Sequence, residues 1–186
     1  MQGITQGQMQ TDKVIALICA LRDALSARNQ LEVVQLTVSR LSALTLDGRA
    51  TEPLRAPPPH FESELELAIS HIPDSLNSVA EALSQARPYL DWRADIGGDD
   101  SYYEKGSDVG LSFREGNLVC SLVGPANSFV FSEDLFLSLF FLKSRTLYRD
   151  HVHQASEMYF NLSGPCGFRL GDQDWVDYAG DSVIWN

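Results

Sequence analysis

The spacing of apolar residues changes once along this chain, near Pro88, and that change limits the folds open to it. Before it, apolar side chains recur every three or four positions: Val14, Leu17, Ile18, Leu21 and Leu25, then Leu31, Val34, Val38, Leu41 and Leu44. Such a period lines one face of a helix, so two amphipathic helices are expected between Lys13 and Leu46, hinged near Arg28 to Gln30. Asp47 to His60 carries Gly48, Pro53 and the triplet Pro57, Pro58 and Pro59. Proline lacks the amide donor and clashes with the preceding turn, so this stretch reads as a linker. Helical spacing returns from Phe61 to His71 and from Asp74 to Ala86, where Leu76, Val79, Ala80 and Leu83 share a face, and Pro88 stops it.

After Tyr89, short runs rich in Val, Phe, Tyr and Leu alternate with Gly, Asn, Asp and Pro. Strands are expected at Val109 to Phe113, Leu118 to Val123, Ser128 to Phe131, Leu135 to Leu142, Glu157 to Leu162, Gly167 to Leu170, Trp175 to Tyr178 and Ser182 to Trp185. Turns at Arg114 to Asn117 and Gly171 to Gln173 separate some of them. Helices first and strands second imply an α+β architecture: a helical N-terminal region over residues 1–90 capping a β-sandwich or barrel over residues 91–186.

Charge and cysteine usage exclude several functions. Lys and Arg number 14 against 25 Asp and Glu, a net charge of −11, and no window holds the basic stripe that phosphate neutralisation needs, so no nucleic-acid partner is expected. Cys19, Cys120 and Cys166 are widely spaced and form no CxxC pair, which argues against a disulfide framework or a zinc knuckle. The strongly apolar run Leu135 to Leu142 is far shorter than the roughly 20 residues of a membrane-spanning helix. The amino terminus lacks the basic start and apolar core of a secretory signal, so a cytoplasmic protein with no membrane partner is expected.

Chemistry concentrates in Tyr148 to Gly164, which reads YRDHVHQASEMYFNLSG. Residues two apart on a strand point to one face, so a strand here would aim the imidazoles of His151 and His153 at one point. Glu157, beyond a short turn, is placed to add a carboxylate, and two nitrogens with one oxygen suit a first-row divalent metal. Tyr159 lies two residues past Glu157, on the same face of its strand. A phenol beside a divalent cation has its ionised form favoured and becomes a usable base. Taken alone, the histidine pair also suits polar residues held at a strand end, and Tyr159 a core tyrosine. Asn161, Leu162 and Ser163 match a glycosylation sequon, but inside an expected strand the match reads as chance.

The pattern His151, His153, Glu157 and Gly164 resembles the first signature of the cupin superfamily, HxHxxxExxxxxxG. The wider stretch from Gly124 to Gly164, with Gly124-Pro125, the strand Leu135 to Leu142, Tyr148, the HxHxxxExY cluster and Leu162-Ser163-Gly164, resembles the bacterial dimethylsulfoniopropionate (DMSP) lyases of the cupin type. Trp92, Trp175 and the helical first half fit the larger members of that group.

The resemblance implies a helical cap on a cupin-like jelly-roll β-barrel holding one divalent metal ion (Zn, Fe, Mn, Co or Ni) on His151, His153 and Glu157. It implies that Tyr159 removes the proton α to the substrate carboxylate, and that dimethyl sulfide leaves to give acrylate. The substrate is a small sulfonium zwitterion, and aromatic faces hold such cations. Trp92, Tyr102, Tyr103, Tyr148, Trp175 and Tyr178 are the candidates, with Tyr148, close to the histidine pair, foremost.

The chain departs from the cupin pattern in one respect. The second cupin signature supplies another histidine, whereas the four histidines here are His60, His71, His151 and His153. Ala179 to Asn186 looks like the start of that second signature, which is expected of a truncated longer protein or of a shortened relative lacking the last strands. A barrel that stops mid-strand leaves an unpaired edge and an uncovered core face, which favours association with another chain, such as a second copy, or instability. Three ligands alone do not choose the reaction, so another metal-dependent cupin enzyme, such as a dioxygenase or isomerase, and a non-catalytic metabolite-binding cupin stand as alternatives.

Overall fold

A computed structural model describes residues 6–28, 30–48, 55–95, 108–125, 127–152 and 156–185, which fall into two compact units. One comprises Met1–Pro57, Ser78–Arg93 and Val119–Leu139; the other comprises Pro58–Asn77, Ala94–Leu118 and Phe140–Asn186.

In the first unit α1 (Gln6–Ser26) packs on α2 (Glu32–Ala43). Of the residues that the spacing selects, Val14, Leu17, Ile18, Leu21 and Leu25 on α1 and Val34 and Leu41 on α2 are buried, Val38 and Leu44 are half-buried, and Leu31, just before α2, is exposed. The hinge is a turn in which the Arg28 amide donates to the Leu25 carbonyl at 2.8 Å. Glu32 in the first turn of α2 and Arg40 in its last complement the helix dipole. The helix α4 (Asn77–Ala86), entered through a 3-10 turn at Asp74–Leu76, buries Val79, Leu83 and Ala86. Strands β1 (Asn117–Gly124), β2 (Val130–Phe131) and β3 (Leu137–Leu142) form a sheet ordered β2-β1-β3. There β1 and β2 run parallel, with Val123 opposite Val130.

The second unit begins with α3 (Pro59–Ser70), where Pro59 sits at the first helical turn. A residue there needs no amide partner and benefits from a preset φ, so the last proline of the triplet opens the helix instead of ending the linker. Phe61 and Leu65 form its buried face. Strands β4 (Met158–Asn161) and β7 (Ser182–Trp185) pair antiparallel, as do β5 (Cys166–Phe168) and β6 (Val176–Tyr178).

One expected strand is not a strand. Residues Leu111–Gly116 form a short helix, α5, so the reading of Val109 to Phe113 as extended, and of Arg114 to Asn117 as a turn, is corrected. Val109 and Phe113 are fully buried while Leu111 is 68% exposed, which is the i, i+4 face of a helix and not the alternate face of a strand. Gly110, at φ 89°, reverses the chain before the helix, and its amide donates to Asp108 Oδ1 at 3.1 Å. The buried Asn117 closes the other end. Its Nδ2 donates to the carbonyls of Phe113 (2.6 Å) and Asp95 (2.7 Å), and its Oδ1 accepts from the Asp95 amide (2.8 Å).

Among the described residues every helix precedes the strands, and the fold class is the expected α+β. Among the described residues no helix is long and apolar enough to cross a membrane.

Candidate active site

The candidate site residues lie in the second unit, on two segments built in different ways. The first is the β4 ladder. Tyr159 stands opposite Ile184 of β7, and Ile184 is buried. Glu157 precedes β4 by one residue, two positions from Tyr159, and the Tyr159 hydroxyl donates to Glu157 Oε2 at 2.5 Å. The strand period thus brings the candidate base and a candidate ligand into direct contact. The Tyr159 ring packs against Phe168 of β5 at 5.0 Å, and Phe168 meets Tyr178 of β6 edge-on at 5.9 Å.

Asn161, at the end of β4, holds this ladder against the turn before β7. Its Nδ2 donates to the carbonyls of Tyr178 (3.1 Å) and Ala179 (2.9 Å), and its own carbonyl accepts from the Asp181 amide (2.7 Å). The sequon nitrogen thus has two backbone partners, which gives Asn161 a structural role. Gly164, the last residue of the cupin-like signature, is required by the same turn, because a Cβ there would come within 2.4 Å of the Gly180 nitrogen. Ser75 Oγ donates to Asp181 Oδ2 at 2.6 Å and fastens the turn further.

The second segment, Tyr148 to His151, is not a strand; it runs as irregular backbone after β3. The expectation that strand geometry orients His151 is therefore corrected, and side chains do that work instead. The Tyr148 ring stacks on Phe113 (4.0 Å, 14°) and on the His151 ring (4.0 Å, 12°). Arg149 Nη1 donates to Asp108 Oδ2 at 2.5 Å. Arg169 Nη2 donates to both carboxylate oxygens of Asp150, at 2.9 and 2.6 Å, and its guanidinium lies over the Trp175 ring. His151 Nδ1 is 2.9 Å from the Arg149 carbonyl. A carbonyl only accepts, so Nδ1 carries the proton, and in the neutral ring Nε2 then carries the lone pair that a metal ligand needs. The donor chemistry of His151 and Glu157 therefore fits a divalent ion. His153 lies outside the described residues, and among those described no three His, Cys, Asp or Glu side chains gather closely enough to hold a metal.

The other candidates scatter. Trp92 is buried, with its indole donating to the Arg87 carbonyl at 3.3 Å; Trp175 is 54% exposed; Tyr102 and Tyr103 lie outside the described residues. His60 tilts over Phe61, and His71 caps the end of α3. Burial pushes the Cys120 thiol up to about 12 and also raises that of Cys166, where the charge of Asp177 adds to the effect, so neither is an activated nucleophile. Phe113, Asp108 and Arg169 carry no sequence signal for the site. Their partners are remote in sequence, Asp108 from Arg149 by 41 positions and Arg169 from Asp150 by 19.

Helices followed by small β-sheets are an architecture shared with a solved structure. The chain superposes on one from a set described as crystal structures of the DMSP lyases RdDddP and RnDddQII, with a TM-score of 0.67 and 20% identity, over 95% of this chain and 82% of that one. No curated protein matches the chain in sequence. The DMSP lyase family profile matches residues 12–186, and the protein belongs to that family.

Proposed function

We propose that this protein is a metal-dependent carbon–sulfur lyase that cleaves DMSP to dimethyl sulfide and acrylate by β-elimination. The observation that carries the reading is the contact between the Tyr159 hydroxyl and Glu157, supported by membership of the family. His151, His153 and Glu157 would hold one divalent ion, whether Zn, Fe, Mn, Co or Ni. When bound, that ion supplies Lewis acidity, stabilising negative charge on the substrate carboxylate and favouring the ionised phenol.

The residues of the chain do the rest. Glu157 holds the oxygen of the neutral Tyr159 phenol by accepting its hydrogen bond, and once that proton has left for solvent the phenolate oxygen takes the proton from the carbon α to the carboxylate. The electron pair of the broken C–H bond forms the carbon–carbon double bond as the C–S bond breaks, and dimethyl sulfide departs with the S-bound pair. Acrylate keeps the carboxylate, and Tyr159 returns its proton to solvent, so the sequence balances without an oxidant. Phe168, packed on Tyr159, limits the motion of the base. Both faces of the Tyr148 ring are covered by Phe113 and His151, so the expectation that a Tyr148 ring face holds the sulfonium cation is corrected.

The test is headspace dimethyl sulfide from the purified, metal-reconstituted protein mixed with DMSP. Release is expected, and Tyr159→Phe is expected to lower its rate by about 10²- to 10⁴-fold, the usual worth of a positioned acid or base. Absence of release from a folded, metal-loaded protein would overturn the lyase reading and favour a cupin of another chemistry.

A further inference from the structure

The stack around Tyr148 has a geometry that assigns a task to residues outside the metal-binding pattern. Two rings that each lie 4.0 Å from the Tyr148 centroid and within 14° of its plane cannot share one face, because they would overlap. Phe113 and His151 therefore cover opposite faces, in the order Phe113, Tyr148, His151. The base of the stack is rigid: Phe113 is fully buried on α5, clustered with Val109, Phe140 and Leu142. At the other end of the stack the His151 ring is fixed in plane by Tyr148 and in rotation by the Arg149 carbonyl. Arg149 is itself tied to Asp108 and to the Val109 carbonyl beside α5. A ring held in plane and in rotation has one direction left for Nε2.

We propose that Phe113 and Tyr148, with the Arg149 carbonyl, are positioning residues that set the plane and the tautomer of the His151 imidazole, so that Nε2 is presented to a divalent metal ion. The inference rests on the reading of His151 as a ligand and deepens it. It also explains why a histidine on irregular backbone serves as a ligand at all. On a strand the pleat orients such a side chain; here the aromatic stack replaces the pleat.

Two measurements test it. In the metal-free wild type, nitrogen NMR of the neutral His151 ring, assigned by its loss in His151→Gln, is expected to show the proton on Nδ1. A proton on Nε2 instead would overturn the proposal without any variant of the stack. Zinc titration then compares Tyr148→Phe, which keeps the ring, with Tyr148→Leu, which removes it. Tyr148→Phe is expected to keep the Nδ1–H tautomer and the zinc affinity, and Tyr148→Leu to lower the affinity by about 10- to 100-fold, as loss of a ligand's outer partner does. If Tyr148→Leu binds zinc like the wild type while His151→Gln binds it poorly, the positioning role falls and the ligand role stands. If His151→Gln binds zinc like the wild type, the ligand reading falls and takes the proposal with it.

Discussion

Glu157 and Tyr159 take their geometry from a backbone ladder, whereas Tyr148 to His151 take theirs from side chains. Tyr159 lies on β4, held in register by pairing with β7, and Glu157, one residue before the strand, accepts its hydroxyl hydrogen bond. In residues 148–151 no ladder exists, and each residue in turn has its own clamp: Phe113 for Tyr148, Asp108 for Arg149, Arg169 for Asp150 and a carbonyl for His151. A ladder spreads its load over many equivalent hydrogen bonds. A clamped segment depends on a few individual groups, some of them exposed, so the two segments should fail differently when cut.

The largest expected effect is the one on chemistry. Tyr159→Phe removes the proposed base from the ladder segment with its packing on Phe168 retained, so kcat should fall by about 10²- to 10⁴-fold while thermal stability stays near wild type. Next is the anchor of the ladder. Asn161→Leu takes the side-chain donor from the Tyr178 and Ala179 carbonyls and should cost about 0.5–1.5 kcal/mol in denaturant unfolding. A loss well below that would mean that the pairing of β4 with β7 suffices without the side-chain lock.

On the clamped segment the energies are smaller. Arg169→Met cuts an ion pair whose Asp150 partner is 81% exposed, so the stability loss should stay within about 1 kcal/mol. Metal affinity is the more sensitive readout there, and a stability loss as large as that of Asn161→Leu would erase the contrast between the two segments. The smallest expected effect is none: Cys120, buried and with its thiol pushed up to about 12, should remain unmodified by iodoacetamide near neutral pH until the protein unfolds.

How far the sequence was readable follows from the range of the signal. The inward faces of α1, α2 and α4 were legible because a helix displays its period within a few turns. The same reasoning misread Val109 to Phe113. Positions 109 and 113 lie four apart, a spacing that a strand face and a helix face share, and the exposed Leu111 is an apolar residue that masks the difference. In the site, the nearness of Glu157 and Tyr159 was legible for the same local reason, and so was the nearness of Tyr148 to His151. The conformation of the His151 segment was not, since HxH looks alike on a strand and on irregular backbone.

By itself, then, the amino-acid sequence determined the order of helices and strands, the resemblance to a lyase family and the residue types offered to a metal, because each of these is written in neighbours a few positions apart. Only the tertiary structure decided that the Asn161 amide serves the backbone, that Gly164 is needed by the approach of Gly180, and that Phe113 stands behind Tyr148 and His151. Those outcomes depend on contacts between residues distant in the chain, and side-chain packing and hydrogen-bond partners exist only once the backbone has brought them together.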